Sequence, residues 1–431
     1  MSQHRGAEVP SADGTAAEPP APRAPGVGRI PVVDALRGFA LFGILVVNIT
    51  YFASAYHGTG LEDPPWDSTV DRGARYLVAV LFETKFYLLF SFLFGYSFTL
   101  QLDSAARTDA RFGPRFLRRL AALFALGLVH AVFLFPGDIL TTYACLGLIL
   151  YAARRTRPAT AVRAALVLLA VTCLAYLLLA AAQWAAGGGG VDAGVLAAQA
   201  RQATEALRGS PASVVAANLA QLPDVLLLLV FFQAPTALAG FLIGLAAGKR
   251  RLLADLRGRG PALRRLQQFG LPVGLIGGVV YAHASIAHPG TAYQLCALAF
   301  DVLTAPILAA AYAATVLRLV TRDRGGRVSG LLSAAGRMSL TGYLTQSLVC
   351  ALIFTGYGAG MVGRLSPAQV LVVAAVVFAA QLTACRWWMD RHDHGPLEWL
   401  LRAATNAAWP SRRGEPPRRP PGGPRKDRLR P

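Results

Sequence analysis

Residues 161–184, AVRAALVLLAVTCLAYLLLAAAQW, carry a single charged side chain, Arg163, and neither proline nor glycine. About twenty consecutive apolar residues, wound as a helix, span a hydrocarbon core roughly 30 Å thick. Comparable runs recur near 35–53, 76–100, 116–136, 139–153, 222–247, 268–287, 292–317, 329–355 and 368–388. Only helices or closed barrels satisfy backbone polar groups in lipid, and a barrel alternates apolar and polar residues over short segments, which these runs do not. The sequence therefore predicts an all-α, polytopic helical membrane bundle of about ten transmembrane helices. Composition agrees: the 431 residues are 54% hydrophobic and 15% charged, with a mean hydropathy of +0.45, an apolar excess no soluble domain of this size can bury.

The net charge of +19 is distributed by topology. One set of loops holds Arg107, Arg111, Arg115, Arg118 and Arg119, then Arg154, Arg155 and Arg157, then the cluster from Lys249 to Arg265, then Arg318 to Arg327 and the C-terminal tail. The alternate set holds few basic residues and the acids Glu62, Asp63, Asp67, Asp71, Asp192 and Glu205. Lys and Arg are retained on the cytoplasmic side, so both termini are expected in the cytoplasm, with the chain crossing a bacterial inner membrane several times. The partner this implies is the lipid bilayer, with no nucleic acid. Residues 1–28 read as a disordered cytoplasmic tail, 29–406 as the membrane domain and 407–431 as a basic disordered tail. Within the domain, a first part (29–184) and a second part (222–406) flank an outer loop (185–221) with a surface helix around Val195–Leu207. Arg386–Asn406 is expected as one interfacial amphipathic helix anchored by Trp387, Trp388 and Trp399. The five cysteines are scattered singly and read as small core residues.

Ionisable groups inside spans cost at least about 2.5 kcal/mol each, so they face a bundle interior, a cavity or a partner. Asp34, Arg37 and Asn48 fall on one face of the first span. Glu83 and Lys85, two positions apart in the second, point in opposite directions on a continuous helix, so each needs a partner from elsewhere. The third span carries Arg119 and His130 on one face and leads to Asp138; Gln233 and Asp301 follow on later spans. Ser339, Tyr343 and Gln346 form a polar stripe at helical spacing, and His57 sits in the first outer loop. Structural ion pairs and interhelical hydrogen bonds explain each of these residues taken singly; their company suggests a pocket.

The segments RIPVVDALRGFALFGILVVNI (29–49), FETKFYLLFSFLFGYSF (82–98), RRLAALFALGLVHAVFLFPGDILTTYACLG (118–147), GRMSLTGYLTQS (336–347) and HGPLEWLLRA (394–403) resemble, in this order, the YeiB-like bacterial membrane proteins, whose domain is of unknown function. The first segment is also distantly similar to transmembrane acyltransferases, including the acyltransferase-three type and heparan-alpha-glucosaminide N-acetyltransferase. Those proteins take an acyl group from cytoplasmic acyl-CoA to a hydroxyl or amine at the other face.

In the acyltransferase-three type an Arg is followed about ten residues on by an essential His; Arg37 matches, but Asn48 stands where that His belongs. In the glucosaminide enzymes Asn occupies that place and the working His follows, where this chain has His57. The recurrent histidine of the YeiB-like proteins resembles His130. The resemblance implies His130, or else His57, as general base, oriented by Asp138 or Glu83, with Lys85 or Asn48 stabilising the oxyanion. Arg37, Arg118 and Arg119 would hold the phosphates of acyl-CoA, a co-substrate rather than a bound cofactor, and Tyr343 and Gln346 would line the pocket for a lipid or sugar acceptor. A transporter or exporter of a small anionic or amphiphilic molecule is the alternative that the same intramembrane charges allow. No metal is expected, and the oligomeric state is left open.

Overall fold

The computed structural model describes residues 30–407 apart from 60, 62–65, 108–110, 188–191, 255, 257 and 323–325; the expected tails, 1–28 and 407–431, lie outside the described residues except for Ala407. Among those described, the chain forms α-helices and no strand: α1 (Pro31–Ala53), α2 (Thr69–Leu81), α3 (Lys85–Arg107), α4 (Phe112–Phe133), α5 (Ile139–Ala152), α6 (Pro158–Ala185), α7 (Ala193–Arg208), α8 (Pro211–Leu228), α9 (Ala234–Lys249), α10 (Gly260–Ala287), α11 (Ala292–Arg322), α12 (Arg327–Arg337), α13 (Ser339–Phe354), α14 (Pro367–Arg391) and α15 (Pro396–Asn406). Among the described residues, eight segments are long and apolar enough to cross a membrane: α1, α2 with α3, α4, α6, α8 with α9, α10, α11 and α14. The apolar α13 and α5 are shorter, with 16 and 14 residues.

The pattern of burial explains the composition. α6 buries Ala161, Ala165, Leu169, Thr172, Tyr176 and Ala180, a stripe at steps of three and four, while Leu166, Val167, Val171, Leu174 and Leu178 on its other side are more than half exposed. A soluble protein would place polar residues there, so these side chains are matched to lipid. α1 is the opposite case, buried on nearly every side against α3, α11, α12, α13 and α14. Small residues allow that crowding. A methyl group on Gly38 would overlap the Leu332 carbonyl, and one on Gly336 would overlap the carbonyl of Asp34, so α1 and α12 cross backbone to backbone. Gly95 and Gly244 do the same for α3 and α9, against the carbonyls of Phe241 and Phe92.

Several expected elements are interrupted. The second span breaks at Phe82–Thr84, where Thr84 adopts φ 66°, a left-handed conformation that a β-branched residue rarely takes. The run 329–355 is divided at Met338 into α12 and α13. The expected helix from Arg386 to Asn406 is two helices, because α14 continues through Arg391 and α15 begins only at Pro396, after His394 and Gly395. Between α8 and α9, residues Leu229–Gln233 form a π-helical turn just before Pro235, which lacks the N–H a regular α-helix needs.

Hydrogen bonds tie the helix ends into two caps. At one end Ser333 donates to the carbonyl of Pro31, Arg118 to that of Thr405, and Lys249 to those of Arg154 and Thr156. This end gathers the basic residues. At the other, Gly363 donates to Ala53, Gly356 to Leu207, and Ala368 to the Asp71 carboxylate, so α7 and the loop after α13 lie over the end of α1.

Gly336→Leu is expected to force α1 and α12 apart and cost about 1–3 kcal/mol or more. Thermal unfolding of the purified protein in detergent checks this; an unchanged midpoint would show that the crossing is not tight.

Candidate functional site

His130 lies in the last turn of α4, and the link Leu134–Gly137 returns the chain so that Asp138 caps α5. One Asp138 oxygen accepts from the backbone N–H of Thr141 at 2.7 Å, which fixes the carboxylate; the other lies 2.9 Å from His130 Nδ1. A carboxylate only accepts, so Nδ1–H donates and the lone pair of a neutral ring is left on Nε2. That atom is buried and has no hydrogen-bond partner among the described residues. The Tyr343 ring stands 5.0 Å from the imidazole, its hydroxyl likewise buried, beside the Ile139 backbone and with no side-chain hydrogen-bond partner among the described residues. Gly127, one turn before His130, leaves the space Asp138 occupies, since a methyl there would meet the carboxylate and the Thr141 N–H.

The charged residues of the broken span form a separate cluster. Lys85, completely buried, places its ammonium 3.3 Å from Asp301 on α11 and 3.3 Å from the Ala79 carbonyl, 5.0 Å from the centre of the Tyr281 ring. Thr84 donates to the other Asp301 oxygen at 2.6 Å, which holds the left-handed turn in place. Glu83 accepts from Tyr281 at 2.8 Å and faces His57 Nε2 at 3.3 Å. Each of the two charges does take its own partner, but the reason differs from the expected one: the helix is broken between them, not continuous.

The two clusters do not merge. His130 is oriented by Asp138 and not by Glu83, because the hydrogen bonds of Glu83 go to His57 and Tyr281. Lys85 is committed to Asp301 and does not reach His130. Phe135 is the ring they share, 6.3 Å from His130 and 6.4 Å from Tyr51, which in turn packs 4.4 Å from His57. Asn48 is half-buried on α1, and no hydrogen bond joins it to either histidine.

At the basic end Arg37 donates to Asp34 at 2.9 Å and to Ser97. Arg119 lies within electrostatic reach of Arg37 and Glu398, and its buried Nε makes no hydrogen bond among the described residues. Arg118 is exposed and bonds the Thr405 carbonyl at 3.1 Å. Glu398 of α15 caps α13, accepting from the backbone N–H of Leu340 and Thr341 and from the Thr341 hydroxyl. Between the ends, Gln346 donates to Leu41 and to Gln381, leaving Gln346 Oε1 and Gln381 Nε2 buried and open. Sequence reasoning missed Gln381, Glu398 and Tyr281; a glutamine inside the last span was a usable signal for the first, whereas nothing local marked Tyr281. No three His, Cys, Asp or Glu side chains gather as a metal site among the described residues.

Residues 247–408 match the family described as "Protein of unknown function (DUF418)". The uncharacterized protein YxaH of Bacillus subtilis (strain 168) is 33% identical over 399 residues, covering 88% of this chain and 95% of that protein. An uncharacterized 39.9 kDa protein from the amylase 3′ region of Bacillus acidopullulyticus is 26% identical, over 88% of this chain and 94% of its own. The uncharacterized protein YeiB of Escherichia coli (strain K12) is 27% identical, over 88% and 97%. No solved structure matches the chain.

Breaking the buried pair from one side, with Lys85→Met or Asp301→Leu, is expected to cost about 3–5 kcal/mol. The double variant should recover most of that loss. A double-mutant cycle of thermal unfolding measures the coupling, and additive losses would mean that the two residues do not act as a pair.

Proposed function

The chain belongs to the DUF418 family of YeiB-like proteins, and from that premise we propose that it is a membrane-embedded acyltransferase with His130 as general base. The observation that carries the proposal is the open Nε2 of a buried imidazole whose other nitrogen is fixed by Asp138. The proton of an acceptor hydroxyl or amine passes to Nε2 as the acceptor atom bonds to the carbonyl carbon of an acyl-CoA thioester. Collapse of the tetrahedral intermediate breaks the C–S bond, and the departing thiolate recovers the proton from the imidazolium. Asp138 stabilises that imidazolium through Nδ1–H. The Tyr343 hydroxyl, on a ring packed against the imidazole and without a side-chain partner, takes the oxyanion-donor role expected of Lys85 or Asn48. Arg37 and Arg119 at the basic end, with Arg118 at its surface, supply guanidinium groups for the CoA phosphates.

This reading includes a topology. Counting α5 and the α12–α13 pair with the eight longer segments gives ten crossings of the cell membrane, both termini on the cytoplasmic side, as the basic residues at one end support. The second reading, transport of a small anionic or amphiphilic molecule, is favoured by the break at Phe82–Thr84, since discontinuous helices with charges at the break form the binding sites of many transporters.

Membranes containing the protein are to be incubated with labelled acetyl-CoA and a panel of lipid and sugar acceptors. We expect transfer that falls by about 10²–10⁴ in His130→Ala and in His130→Gln, and persists in His57→Ala. Loss confined to His57→Ala moves the base to the other cluster. Absence of transfer to every acceptor sinks the enzyme, and substrate flux lost in Glu83→Gln would replace it with the carrier.

A further inference from the structure

The acyl-transfer reading makes no use of the tip of the α10–α11 hairpin, at the end of the bundle away from the basic cap. His283 lies in the last turns of α10, and His288 is the residue that ends it. On a continuous helix, side chains five residues apart diverge by about 140°, so their spacing in sequence suggests no joint role. The end of the helix changes this. His288 takes φ −135° and ψ 51°, and the two imidazoles meet with ring centres 5.2 Å apart and planes at 78°. Tyr293, in the first turn of α11, packs edge-on to both rings, 6.3 Å from His283 and 5.4 Å from His288.

The backbone that carries His288 is fixed, whereas the imidazoles keep their nitrogens free. Thr291 Oγ1 donates to the His288 carbonyl at 2.6 Å, the Gly290 N–H to Gln294 Oε1 at 2.7 Å, and Gln183 of α6 to the Gly290 carbonyl. Gly290 itself sits at φ 66°, in the region that favours glycine. Both histidines are exposed, and neither ring makes a hydrogen bond or ion pair among the described residues.

Three properties of this place suit a metal cation. Metal–nitrogen bonds of about 2.1 Å at a tetrahedral angle set the centres of two imidazoles about 5 Å apart. That spacing is already present, so the exposed rings need only turn toward a common point. The pair also stands at the C-terminus of α10, whose last carbonyls carry partial negative charge. Residues 281–300 contain no Lys or Arg to repel an ion.

We propose that His283 and His288 form a two-imidazole site for a divalent transition-metal ion of the zinc class, with solvent in the remaining positions. Imidazole nitrogen suits such ions, whereas Mg²⁺ keeps to oxygen ligands.

The test is calorimetric titration of the purified full chain in detergent, free of any affinity tag, with Zn²⁺. His283→Ala and His288→Ala should each weaken the binding of one equivalent by about 10²-fold, because either change turns a chelate into a single ligand. His392→Ala/His394→Ala, which removes the exposed histidine and its neighbour at the other end of the bundle, should leave that equivalent unchanged. Millimolar Mg²⁺ should not compete. Both proposed ligands face solvent, so the variants are expected to unfold at the wild-type temperature without metal; Zn²⁺ should raise the midpoint of the wild type and not of the variants. Zn²⁺ binding unchanged in both single variants, an equal loss in His392→Ala/His394→Ala, or displacement by Mg²⁺ would overturn the proposal.

Discussion

An ammonium group with no exposure to solvent has to be compensated within a few ångströms or the bundle does not form, and Lys85 is such a group. Its compensation comes from Asp301, on a helix more than two hundred residues further along the chain, so the α10–α11 hairpin must pack against the α2–α3 segment at one register. The same carboxylate accepts from Thr84 and holds the left-handed turn that separates α2 from α3. That conformation costs about 1–3 kcal/mol on its own, so it persists because the surrounding partners fix it. Lys85 can point to Asp301 while Glu83 points to His57 and Tyr281 because the helix is interrupted there. One buried charge thus determines a helix break, a distant helix pairing and the placement of two further ionisable residues.

Much of the architecture was legible in the sequence because it follows from local properties. The apolar run around α6 needs only length and composition to be read, and the surface helix α7 was placed almost to the residue. The breaks were not legible. Phe82–Thr84 contains neither glycine nor proline, and the division at Met338 has no marker either; both arise from contacts made across the bundle. The π-helical turn differs, since Pro235 removes a donor at a fixed position and could have been read as a disruption.

The site divides along the same line. His130 and Asp138 are eight residues apart across a Pro-Gly turn, and a pairing of that kind is accessible to sequence reasoning. The partners of Glu83 and Lys85 are set by tertiary packing, which is why one convergent pocket was expected where two clusters form. A list of costly intramembrane residues identifies which side chains need a partner but carries no distances between helices. The Gln346–Gln381 pair shows the same gap, one member falling on the expected stripe of α13 and the other in the middle of the last span, where it drew no notice.

The two clusters differ in what they leave open, and the difference bears on which of them does chemistry. In the Lys85 cluster every charged group faces an opposite charge or a hydrogen-bond donor, and Asp301 Oδ1, buried and without a hydrogen bond among the described residues, is compensated by the Lys85 ammonium 3.3 Å away. At His130, by contrast, imidazole Nε2 is buried and lacks a hydrogen bond among the described residues, the adjacent Tyr343 hydroxyl has no side-chain partner there, and at the separate α13–α14 contact Gln346 Oε1 and Gln381 Nε2 are likewise buried and open. Each unsatisfied buried group costs about 1–3 kcal/mol. The fold nevertheless orients one imidazole nitrogen with a capped carboxylate and leaves the other without a hydrogen bond among the described residues, and under the proposed acyl transfer that uneven treatment of a single ring is what the base requires.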